Sequence, residues 1–92
     1  MEEKQVQISV QDNDLRGVYS NAMQIVHTKE EFCLDFFNIF PPKPILVSRI
    51  LMSPAHLKRM IKALSENIEK YESQHGLVEA AKEPETNLGF KP

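Results

Sequence analysis

The side chains able to do chemistry are few. Three histidines, His27, His56 and His75, and one cysteine, Cys33, are the soft metal ligands. His56 and His75 are nineteen residues apart, about 28 Å along a helix. His27 and Cys33 fall on opposite faces of the sheet derived below. No pair has the spacing of a zinc site, so no metal is expected. The three glycines are scattered and make no phosphate-cradling loop. Cys33 lies in an apolar run, where a thiol is a small core residue more often than a nucleophile. No catalytic constellation emerges, and neither an enzyme nor a cofactor is expected.

Two charge patterns remain. Asp35 and Arg49 each interrupt an otherwise apolar segment. They read either as an anion- or client-binding pair, or as an ion pair fixing strand register or a subunit contact at little net gain in stability. The second pattern lies in the segment after Ser53. Lys58, Arg59 and Lys62 come first, and Glu66, Glu69 and Glu72 follow. The helix macrodipole favours the reverse order. Antiparallel self-association would use this order. So would an anionic ligand, such as single-stranded nucleic acid, at Lys58, Arg59 and Lys62 with Lys43 and Arg49 nearby. An ordinary solvated face needs no use at all, because such charges are each worth only about 0.3–1 kcal/mol.

Several elements must position these groups. Val6, Ile8 and Val10 alternate with polar residues, which predicts a strand over about 6–10 after a flexible 1–5. Asp12, Asn13, Asp14 and Gly17 predict a turn. Further strands are expected over about 18–27, 32–40 and 45–52, with short connections that favour an antiparallel meander. Pro41, Pro42 and Pro44 end the third, since proline donates nothing to a ladder. Ser53 and Pro54 form a helix start, and Gly76 a stop, giving a helix over about 54–75. Leu57, Met60, Ile61, Leu64, Ile68 and Tyr71 fall on one stripe of it. Residues 77–92 read as a mostly disordered tail, with Leu88 and Phe90 as late contacts. Residues 6–76 thus form a single α+β domain: a four-stranded antiparallel meander followed by one long C-terminal helix.

Side-chain matching sets the register. A hairpin loop at Thr28–Glu31 puts His27 opposite Phe32, Ile25 opposite Leu34 and Met23 opposite Phe36. The next hairpin, with its tip at Pro41–Lys43, puts Asp35 opposite Arg49, Phe36 opposite Ser48 and Phe37 opposite Val47. A one-residue slip sets Asp35 against Ile50 and loses the charge match. One face then carries Tyr19, Met23, Ile25, Phe32, Leu34, Phe36, Ile50 and Met52. The other carries Val18, Ala22, Val26, Cys33, Phe37, Ile39, Ile45, Val47 and Leu51 around Asp35 and Arg49. Both are too apolar for water, and one helix covers only one of them. Oligomerisation or a protein client is expected to bury the second face through Val26, Phe37, Val47, Leu51, Asp35 and Arg49. The alternative cover is the N-terminal strand and the tail.

Composition sets the bounds. The chain has 92 residues, 11 basic and 13 acidic, for a formal net charge of −2. That argues against a dedicated duplex-DNA binder, and nucleic-acid binding is expected to be weak or absent. A domain of this size leaves much of its surface exposed, and self-association is a common remedy. The polar start does not read as a signal peptide, and none is expected; no apolar run approaches the roughly 18 residues of a membrane span. A cytoplasmic protein without membrane contact is expected.

Ordered blocks from Tyr19 to Tyr71 carry a family resemblance. They include Tyr19-Ser20-Asn21, Glu31-Phe32-Cys33-Leu34-Asp35-Phe36, Ser48-Arg49-Ile50 and Ser53-Pro54-Ala55-His56-Leu57-Lys58-Arg59. Ala63-Leu64-Ser65-Glu66-Asn67-Ile68 continues them. Together they resemble the small prokaryotic proteins grouped as domain of unknown function 3467, which implies no activity and no catalytic residues. Met23-Gln24-Ile25, then Thr28-Lys29 and an aromatic strand, resemble SecB-like export chaperones in architecture. That resemblance implies an oligomer binding unfolded clients. The element order is also similar to single-strand-binding transcriptional coactivators, without their basic, aromatic-studded surface.

Overall fold

The structure, a computed structural model, describes residues 5–40, 43–82 and 89. In chain order it has a short helix α1 (Asp12–Arg16), three strands β1 (Ala22–His27), β2 (Phe32–Asn38) and β3 (Ile45–Met52), and a long helix α2 (Pro54–His75). The strands form one antiparallel sheet in the order β1-β2-β3. The class is α+β, but the sheet has three strands among the described residues, where four were expected. The expected flexible start at 1–4, the proline tip at 41–42 and most of the expected tail, including Leu88 and Phe90, lie outside the described residues.

The missing strand is 6–10. Val6 and Ile8 are more than three-quarters exposed, and no ladder joins them to the sheet. Alternation tells which side chains would share a face, but a strand exists only with a hydrogen-bonding partner beside it. The expected turn after it winds into α1. The Gln11 N–H donates to the Asp14 carboxylate at 2.9 Å, which caps the first turn. Gly17 then takes φ 73°, a left-handed conformation that favours glycine.

The expected strand 18–27 begins only at Ala22. The Asn21 N–H donates to the Phe37 carbonyl, but its side-chain Oδ1 accepts from the Ile39 N–H at 2.8 Å. A side chain thus takes the place of the next ladder bond. Ser20 Oγ donates to the carbonyls of Phe37 and Ala22. Asn38 Oδ1 accepts from the Phe40 N–H in the same manner, and β2 ends there instead of at residue 40. Tyr19 belongs to no sheet face; its ring stacks on Phe40 at 5.8 Å.

In β1–β2 the register is as expected: His27 faces Phe32, Ile25 faces Leu34 and Met23 faces Phe36. In β2–β3 Asp35 faces Arg49 and Phe36 faces Ser48, but Phe37 faces Leu46 and not Val47. The register shifts between Phe36 and Phe37, leaving Val47 as an extra residue in β3. Such a bulge bends the strand and reverses face parity beyond it. Leu46 therefore shares the row of Ala22 and Phe37, and Ile45 moves to the row of Asn38 on the opposite face.

Helix α2 has the expected bounds, for local reasons. Ser53 Oγ accepts from the His56 N–H at 3.1 Å, and Pro54 holds the first position. Gly76, at φ 95°, closes the end by donating its N–H to the Glu72 carbonyl. Replacing Ser53 with alanine orphans the His56 N–H and is expected to cost about 1 kcal/mol. Urea denaturation of the parent and variant checks it.

The path of α2 differs from expectation. The helix does not lie over the sheet. Extensive contact joins β1 to β2 and β2 to β3; α2 has none of that extent with any strand. Ser53, in an extended conformation, is the single residue between β3 and α2. A helix that packs back on its sheet must reverse direction, and such connections usually take about 2–6 residues. The one-residue link at Ser53 is shorter than that. The chain extends 51 × 35 × 34 Å, with a radius of gyration of 16.5 Å. A compact chain of this length has a radius near 12 Å, by the usual scaling of roughly 2.2·N^0.38.

Candidate functional site

Without helix cover, both faces of the sheet present apolar side chains. One face has three rows across the strands: Met23–Phe36–Ser48, Ile25–Leu34–Ile50 and His27–Phe32–Met52. Leu34 at its centre is buried, while Met23, Ile25 and Ile50 are each more than two-fifths exposed. The other face carries Ala22–Phe37–Leu46, Gln24–Asp35–Arg49 and Val26–Cys33–Leu51. Phe37 is buried, and Val26 and Leu51 are more than half exposed. Among the described residues, Leu34 and Phe37 are the only buried hydrophobic side chains.

The helix stripe is exposed too. Ile61, Leu64, Ile68 and Tyr71 are 52%, 60%, 46% and 50% exposed, while Leu57 and Met60 are half-buried. The sequence alone pairs this stripe with one sheet face, and the structure instead leaves it as a surface. The signal lay in the one-residue link at Ser53.

Asp35 and Arg49 come together as their matched register requires. Arg49 Nε donates to Asp35 Oδ1 at 2.6 Å and Nη2 to Oδ2 at 2.9 Å, a bidentate pair. Asp35 is buried, and the Arg49 side chain is half-exposed. The Arg49 hydrogen bond holds the Asp35 carboxyl below the ordinary carboxylate range, against the opposing push of burial. Cys33 Sγ lies 3.7 Å from Asp35 Oδ1. Burial, then the Asp35 charge, pushes the Cys33 thiol up, which opposes nucleophilic activation. The pair joins β2 to β3 at their matched register position, in the middle of an otherwise apolar face.

The sign of the Asp35 shift gives a pH dependence. A carboxyl depressed in the folded state stabilises the fold above its unfolded value, near pH 4, and that contribution fades as pH falls through the lower, folded value. Asp35→Asn is therefore expected to lower the urea midpoint at pH 7, with the gap to the parent narrowing in acid. Urea titrations at pH 7 and below pH 4 check it.

The remaining chemical residues stay dispersed. His27 packs on Phe32 at 5.0 Å, His75 on Tyr71 at 4.7 Å, and His56 lies at the start of α2. Among the described residues no group of three or more His, Cys, Asp or Glu side chains could hold a metal ion. Lys58, Arg59 and Lys62 are exposed on the first half of α2. No helix among the described residues is long and apolar enough to cross a membrane.

A family model described as a protein of unknown function (DUF3467) matches residues 1–80. The chain belongs to that family. The description attaches no activity to it and so brings no catalytic role to any residue here. No curated protein and no solved structure matches the chain.

Proposed function

We propose that this protein is a non-enzymatic, oligomeric protein-interaction module. Copies of the chain assemble through apolar surface, and the assembly serves as a chaperone-like holder or adaptor for a protein client. The observation that carries this reading is the simultaneous exposure of three apolar surfaces, two sheet faces and the α2 stripe, on one chain. Monomeric proteins rarely expose contiguous apolar patches larger than about a few hundred Å², and larger ones mark interaction sites. The sheet face around Val26 and Leu51 suits a client better than nucleic acid. Arg49 is bound to Asp35 there, and among the described residues the rows of that face hold no other Lys or Arg.

The reading is tested with a denatured client protein diluted into buffer with and without this protein, followed by light scattering. Suppression of aggregation near equimolar ratio, lost on Leu51→Glu, supports it. Aggregation that proceeds unchanged at that ratio, or suppression that Leu51→Glu leaves intact, contradicts the client role.

A further inference from the structure

The α2 stripe has a pattern that points to its occupant. Leu57, Ile61, Leu64, Ile68 and Tyr71 recur at spacings of four and three. At 100° per residue they fall within about 80° of the helix circumference, as narrow as a coiled-coil seam. One rim of this seam reads Lys58, Ser65, Glu72, each seven residues from the next. The other rim reads Met60, Asn67, Gln74 and carries no charge. Arg59, Lys62, Glu66 and Glu69 lie on the far side and stay in solvent.

We infer that α2 pairs antiparallel with α2 of a second copy of this chain, about a two-fold axis near Ser65. The inference rests on the oligomeric module proposed above and names its contact. Running the charged rim against itself in reverse places Lys58 beside Glu72 of the second copy, twice, with Ser65 beside Ser65 between them. The seam then sets Leu64 against Ile68 and Ile61 against Tyr71. A parallel pair instead sets the charged rim against the neutral one, and no opposite charges meet. The Glu72 carboxylate is held at the rim by the Val78 N–H, which donates to its Oε2 at 2.9 Å. Charge complementarity thus selects a second copy, in one orientation, while apolar burial supplies the affinity. Of the charges whose order along α2 opposes its macrodipole, Lys58 and Glu72 gain a use in this arrangement. Ile61, Leu64, Ile68 and Tyr71 are exposed on the single chain, so the stripe is open to receive it.

The test uses the full chain with Cys33→Ala, single cysteines and a short bismaleimide. Ser65→Cys is expected to give a covalent dimer in high yield. Lys58→Cys is expected to give none, since fourteen helical residues separate the two copies of that position by about 21 Å. Crosslinking at both positions, or at neither, overturns the antiparallel pairing. In the parent background, which keeps Cys33, Lys58→Glu and Glu72→Lys should each weaken the dimer by about three- to tenfold. The double exchange should restore it, and a double variant as weak as the singles also overturns the pairing. Sedimentation of the parent separates the two levels. A monomeric parent defeats the oligomeric module itself, whereas an assembled parent with no crosslink at Ser65→Cys defeats only this contact.

Discussion

Replacing Leu64 with glutamate is expected to dissociate the assembly into folded monomers, raising the dissociation constant by at least about 100-fold. Leu64 is 60% exposed on the single chain, so its own fold loses little with the substitution. Glutamate is a good helix former, and the middle of α2 keeps its helical propensity. In the pair, the same position lies in the apolar seam close to the two-fold axis. Two carboxylates would then be buried near one another without a cation. An uncompensated buried charge costs about 3–5 kcal/mol, which sets the scale of the loss. Sedimentation reads the mass and far-ultraviolet circular dichroism reads the helix. A Leu64→Glu protein that remains assembled shows that α2 is not the contact.

Leu34→Ala is expected to strike the fold instead. Leu34 is 2% exposed, at the centre of β2 between Ile25 and Ile50. Truncation of a buried leucine costs about 2–5 kcal/mol through lost transfer energy and the cavity left behind. Leu34 and Phe37 are the only buried hydrophobic side chains among the described residues, so little other core remains to share the loss. A fall of the urea midpoint with an unchanged slope is the expected result. A loss below about 1 kcal/mol would show that the β2 centre is not the core.

What could be read from the sequence depended on how local the signal was. The bounds of α2 were legible because Ser53, Pro54 and Gly76 act on their own neighbours. The register of β2 on β3 was legible because Asp35 and Arg49 are single charges in apolar strands, so one alignment stands out. Val47 was not legible. An extra residue in a strand leaves no mark on apolar alternation, and the match of Phe37 to Val47 assumed an unbroken ladder. Val6, Ile8 and Val10 show the opposite failure, since their alternation is real but no strand among the described residues pairs with them. The largest departure was the path of α2. Its amphipathic stripe shows that something must cover it, and a stripe cannot say whether that cover is its own sheet. The one-residue connection at Ser53 held that information, through the geometry of chain reversal. The excess of apolar surface was legible as a total, because it follows from composition and period alone. Its division among two sheet faces and a helix needed the structure.

Self-association through apolar surface is the central claim, and sedimentation equilibrium of the parent protein at micromolar concentration tests it most directly. The chain mass is 10.6 kDa. A mass of at least twice that, falling to the chain mass on Leu64→Glu without loss of helix, is the predicted result. A folded parent that sediments at 10.6 kDa across the same range would contradict it.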